Sequence, residues 1–243
     1  MNKIRAIVFD LGGTLRIALK DEEWMRTGRI RMAELAKTEL PFEEFYALVE
    51  ERYEKYRKWA LEENKESDDE ELWCKWLLYD YPRDLIMQNR HQLSYEYRQS
   101  KGRRVVADHG VEVLHELYKR GYKLAIISNL IGETEVPDWL ESDGLKDLFS
   151  SVVLSPVCGL RKPDPEIYRI CSRELGIPCE QMASVADNQG RDLIGAKEAG
   201  IGCNILYISP EKKHPYDPKA QNAPDAVIRD FRELLTLFPL KEA

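Results

Sequence analysis

A small set of residues combines reactive chemistry with telling placement. Asp10 follows a short apolar run, Ile4–Phe9, and precedes the turn Gly12-Gly13-Thr14. Ser128 and Asn129 close a second apolar run that begins at Lys123. Lys162 lies in the turn-rich segment Gly159–Pro165, after a third run at Ser151–Leu154. Asp187 follows a fourth, Ala183–Ala186, and Asp192 comes shortly after it. Three carboxylates gathered together repel one another unless a cation sits among them, and oxygen ligands with water favour Mg²⁺. With the cation present, an anion can bind between it and Lys162. Ser128 and the backbone N–H groups of the Gly12-Gly13-Thr14 turn can donate hydrogen bonds to that anion. A metal-oriented carboxylate at Asp10 is then a competent nucleophile for covalent catalysis. These pieces make sense together as a phosphoryl-transfer site.

The elements that must position these groups follow from hydrophobic patterning. The apolar runs, with Asn204–Ile208 and Ala226–Ile228, are short and β-branched, as suits a parallel sheet buried on both faces. Helical patterns lie between them at Val111–Arg120, Pro165–Leu175 and Asp192–Ala199, each followed by glycine. This alternation predicts an α/β, doubly wound, Rossmann-like parallel sheet, in which ligands bind beyond the carboxyl ends of the strands. No strand is expected from Arg16 to Arg104. Glu22–Leu40, Phe42–Glu63, Glu70–Tyr79 and Arg83–Arg98 read as helices, and the acidic run Glu62–Glu71 as an exposed connection. The expected organisation is a core of residues 1–15 and 105–243, interrupted by an all-helical insert of residues 16–104.

Composition narrows the partners. The chain has 243 residues, 43% hydrophobic and 33% charged, with a formal net charge of -7. An acidic balance gives no support to nucleic-acid binding. The mean hydropathy is -0.50, and no apolar run approaches the ~18 residues of a membrane span. The first apolar run is too short for the core of a signal peptide. Five scattered cysteines without a CxxC pair argue against a disulfide framework and a zinc site, and suit a reducing, cytoplasmic setting. The four histidines, His91, His109, His115 and His214, show no ligand or triad spacing. Arg16 reads as a solvated arginine, with a position facing the site as the alternative. Asp192 has a second reading as the N-cap of the helix that follows it.

Four ordered segments resemble the haloacid dehalogenase superfamily of hydrolases. They are Ile7–Leu15 (IVFDLGGTL), Leu124–Asn129 (LAIISN), Gly159–Tyr168 (GLRKPDPEIY) and Ser184–Gly200 (SVADNQGRDLIGAKEAG). The resemblance implies Asp10 as nucleophile, with Asp10, the carbonyl of Gly12, Asp187 and Asp192 around magnesium. It implies Ser128 and Lys162 as the phosphate-binding pair and Asn129 as the residue orienting their loop. It also implies a type C1 helical cap at residues 16–104, a small phosphorylated substrate, and a monomer or homodimer. One departure stands out. Phosphatase members usually carry a second Asp two residues after the nucleophile, serving as general acid and base, and here that position is Gly12. Three readings stay open. The first is a phosphatase whose leaving group needs little protonation, or which borrows a cap residue or water. The second is a dehalogenase- or phosphonatase-type hydrolase. The third is a weakly active or inactive protein that binds phosphate or another protein.

Overall fold

The computed structural model describes residues 3–209 and 216–240. The strands among them are β1 Ala6–Phe9, β2 Arg16–Leu19, β3 Arg103–Val106, β4 Lys123–Ser128, β5 Phe149–Leu154, β6 Met182–Ala186, β7 Cys203–Tyr207 and β8 Ala226–Ile228. Helices α1 Glu22–Ala36, α2 Phe42–Glu63, α3 Asp69–Glu71 and α4 Arg83–Gln99 lie between β2 and β3. The rest are α5 Gly110–Lys119, α6 Glu135–Ser142, α7 Ser155–Cys158, α8 Glu166–Leu175, α9 Ile194–Ala199 and α10 Leu234–Leu237.

Six strands form one parallel sheet in the order β5-β4-β1-β6-β7-β8. Every residue of β1, β6 and β7 is buried, because helices cover both faces. Phe9 and Ile126 pack with Leu114 of α5 and Trp139 of α6 on one face. Val8 and Ile127 pack with Ile167 of α8 and Ala196 of α9 on the other. The chain leaves β1 for β4 and β5 on one side, then returns to build β6, β7 and β8 on the other. β1 therefore lies at the reversal of strand order, where the strand ends leave a crevice. Phe9 pairs in register with Ile126 and with Val185, so the residues after β1, β4 and β6 emerge side by side.

The helical insert has its own core. Met32, Phe45, Val49, Tyr56, Trp73, Leu77, Ile86 and Leu93 are all essentially inaccessible and pack together. Trp59 and Trp76 pack with ring centroids 5.1 Å apart, tilted by 34°, whereas Trp24 and Tyr79 stay exposed. Three expectations need correction. First, the span expected to lack strands begins and ends in one. β2 and β3 pair antiparallel, with Arg16 opposite Val106 and Leu19 opposite Arg103. Each has only four residues, is part-buried and begins with arginine, so no local pattern announces a pairing between such distant segments. Second, the helix expected over Glu70–Tyr79 is realised as α3 followed by a π-helical turn, Leu72–Leu77.

Third, the acidic run Glu62–Glu71 is not an exposed connection throughout, because Glu66, Ser67 and Asp69 are buried. Glu66 meets Tyr56 and Arg161, and its Oε2 accepts a 2.9 Å bond from Ser155 Oγ. Asp69 accepts a hydrogen bond from Ser94 Oγ at 2.5 Å and meets His91 Nδ1 at 2.7 Å. A buried carboxylate is tolerated when it is paired and hydrogen-bonded, and composition cannot reveal that pairing. The same segment fastens the insert to the core. Lys65 bridges antiparallel to Leu160, the Glu66 N–H donates to Gly159 O at 3.0 Å, and the Asp69 N–H donates to Glu133 Oε1 at 2.8 Å. Among the described residues, no helix is long and apolar enough to cross a membrane.

Candidate active site

Asp10 begins the turn after β1 and is only 5% exposed. Its Oδ2 accepts a 3.2 Å hydrogen bond from Thr14 Oγ1, and its Oδ1 meets Lys162 Nζ at 2.5 Å. The turn returns quickly because Gly13 takes φ 86°, a left-handed conformation open to glycine. Gly12 is exposed, and a Cβ built on it would meet nothing within 4 Å.

Lys162 is 2% exposed and reaches the centre of the site from the loop after α7. Its ammonium donates to Ile127 O at 3.0 Å and pairs with Asp192 Oδ1 at 2.5 Å as well as with Asp10. Asn129 pins its backbone from both sides. The Lys162 N–H donates to Asn129 Oδ1 at 2.8 Å, and Asn129 Nδ2 donates to Lys162 O at 2.9 Å. Ser128, also buried, is the last residue of β4 and adjoins that clamp.

Asp187 follows β6, and Asp192 lies in a π-helical turn, Gln189–Leu193. The N-cap of that turn is Asn188, whose Oδ1 accepts from the Arg191 N–H at 3.0 Å. Leu193 precedes α9, so the second reading of Asp192, as an N-cap, is incorrect. The extra width of the π turn carries the Asp192 side chain inward, onto Lys162. Oxygens of Asp10, Asp187 and Asp192 lie within 4.8 Å of one another, and all three residues are buried. Hard oxygen donors this close suit a divalent cation.

The electrostatics follow from burial. Desolvation pushes the Asp10 carboxyl above its ordinary range, and Lys162 only partly opposes this. Burial acts on Asp192 too, but Lys162 and Arg191 together hold it below the usual range. Arg191 does not stand out in the sequence. Its guanidinium lies 2.9 Å from Asp192 Oδ2 and 3.9 Å from Asp187 Oδ1. The arginine-carboxylate sequence at 191–192 is the available signal.

Arg16 is neither solvated nor in contact with Asp10. It pairs with Glu135 at 3.2 Å and stacks over Trp139 at 4.6 Å. Burial pushes its guanidinium down to about 10. Histidine spacing also misses one grouping, because folding brings His91 to Asp69 and Glu133 where the insert meets the core. His214 lies outside the described residues. Among the described residues, no carboxylate or histidine of the insert makes a polar contact with Asp10, whose side-chain partners are Thr14 and Lys162.

Close packing holds Lys162 in place. Gly195 in α9 abuts the next residue, and a Cβ there would come 2.3 Å from Pro163 O. Gly195→Ala is therefore expected to displace the Lys162 segment and to lower kcat about tenfold or more, with a fall in melting temperature. Steady-state kinetics beside a thermal melt check this.

A parallel sheet with a buried aspartate beyond its central strand, a lysine clamped against it and two further acids defines a Rossmann-like α/β hydrolase core. The chain belongs to the haloacid dehalogenase-like hydrolases, whose family model matches residues 7–205. It is 26% identical to a phosphoglycolate phosphatase of Aliivibrio fischeri, over 98% of this chain and 97% of that protein. It is 33% identical to a phosphoserine phosphatase of Thermus thermophilus, but there the match spans only half of this chain and 46% of the relative. The 2-haloacid dehalogenase of Pseudomonas syringae has the same fold, with a TM-score of 0.71 at 18% identity, over 96% of this chain and 97% of that one.

Proposed function

We propose that the protein is a magnesium-dependent phosphatase of small phosphorylated metabolites, working through an aspartyl-phosphate at Asp10. The observation that carries this reading is the buried juxtaposition of Asp10 with Lys162 and two further carboxylates. Asp10, the Gly12 carbonyl, Asp187 and Asp192 would hold Mg²⁺, which supplies positive charge for the transferring phosphoryl group. The raised Asp10 carboxyl supports the need for that charge, since more positive potential favours the ionised nucleophile.

An Asp10 oxygen attacks phosphorus, and the bond from phosphorus to the leaving oxygen breaks. Lys162, Ser128 and the N–H groups of the Gly12-Gly13-Thr14 turn hold the phosphoryl oxygens through the transfer. Water then attacks the aspartyl-phosphate, the phosphorus–Asp10 bond breaks, and phosphate leaves with Asp10 regenerated. With glycine at position 12, the leaving oxygen takes its proton from water or needs none, which favours good leaving groups such as acyl phosphates. Residues 16–104 act as a type C1 cap that closes over the site and shields it from bulk solvent. Support comes from the direct bonds between Glu66 and both Ser155 and Arg161.

A screen of phosphorylated metabolites and acyl phosphates, with Mg²⁺ or with chelator, tests this reading. Phosphate release that chelation abolishes and Mg²⁺ restores is the expected result. Metal-independent halide release from haloacids would overturn it in favour of a dehalogenase. Phosphate binding without turnover of any compound would overturn it in favour of a binding protein.

A further inference from the structure

The carboxylate cluster contains a cation that the proposed reaction does not use. The π turn Gln189–Leu193 folds the Arg191 side chain back over its own neighbour, so that Nε and Nη2 face Asp192 Oδ2 at 3.2 and 2.9 Å. The same Nη2 lies 3.9 Å from Asp187 Oδ1. Lys162 serves Asp10 and Asp192 from one side, while Arg191 serves Asp192 and Asp187 from the other. Lys162 and Arg191 thus hold two positive charges against these three acids. The two cations differ in freedom. The Lys162 side chain is 1% exposed, whereas that of Arg191 is 34% exposed and reaches in from the solvent side.

We propose that Arg191 is a resident counter-cation of this cluster, competing with the divalent metal for Asp187 and Asp192. The inference rests on the metal-dependent reading of the site and adds a control on it. For a metal to take both acids, the guanidinium must move outward, which its partial exposure permits. Until then it neutralises charge that would attract the metal, so metal affinity in the free protein is held down. The displaced guanidinium is a planar donor suited to phosphate oxygens, so substrate compensates for its removal and favours the loaded state.

The test is calorimetric titration of the metal-free, full-length protein with Mn²⁺ as probe, without substrate. Arg191→Gln is expected to bind Mn²⁺ at least about tenfold more tightly than the wild type, and Arg191→Lys to stay close to the wild type. Arg191→Met carries the same expectation as Arg191→Gln and covers a glutamine variant that fails to fold. Equal constants in wild type and Arg191→Gln overturn this inference alone. Weaker binding in Arg191→Gln overturns it by showing that Arg191 organises the acids for the metal. If neither protein binds Mn²⁺, the metal reading of the site falls with it, whatever the substrate screen returns.

Discussion

Asp10→Asn is expected to remove turnover while leaving the fold intact. An amide of the same shape cannot attack phosphorus, so the covalent route is lost rather than slowed. The loss should be at least about 10⁴-fold in kcat, as expected where an activated nucleophile is replaced. The substitution suits the site sterically. The asparagine oxygen can still accept from Lys162 Nζ while its NH2 donates to Thr14 Oγ1, and the cluster is relieved of a carboxylate that burial already disfavours. The melting temperature should therefore hold or rise, which separates loss of chemistry from loss of structure. Phosphate release, together with the intact mass of acid-quenched protein during turnover, is the measurement. A phosphoryl adduct on the wild type and none on Asp10→Asn is expected. Undiminished release by the variant would remove Asp10 from the reaction.

Gly12→Asp is expected to act in the opposite direction. It supplies a group that can protonate the leaving oxygen and later take a proton from water. Such assistance is typically worth about 10²–10⁴-fold. The position accepts a side chain. A Cβ meets nothing within 4 Å, the backbone is outside the left-handed region, and the residue is exposed. The gain should depend on the leaving group. Alkyl phosphates, whose alkoxides need a proton, should gain most, and acyl or nitrophenyl phosphates least. Comparing kcat for the two classes in wild type and variant reads this directly. A gain equal for both classes would mean that the introduced carboxylate acts through charge or metal binding instead.

The candidate residues Asp10, Ser128 and Asp187 are legible because each lies at a strand end, and the strands are continuous apolar runs that stand out from helical periodicity. Asp10 and Asp187 directly follow β1 and β6, and Ser128 is the last residue of β4. What the sequence hides depends on long-range pairing. The β2–β3 ribbon joins two short segments far apart in the chain. Glu66 looks like part of a solvated acidic run until Arg161 and Ser155 reach it from the core. Arg191 looks like a surface residue until a π turn, which has no simple periodic signature, folds it over Asp192. Helix α6 escapes the same reading because Glu135–Ser142 spans only about two turns, too short for its periodicity to stand out.

The β2–β3 ribbon has a consequence for how this protein can change over generations. Neighbouring antiparallel strands lie about 5 Å apart, so residues 20–102 leave and rejoin the sheet domain at almost the same point. A turn of about two to five residues could join such strands equally well. The strand connectivity of the sheet is therefore independent of what fills that gap. Selection can lengthen, shorten or exchange the helical segment as a module without rethreading the sheet.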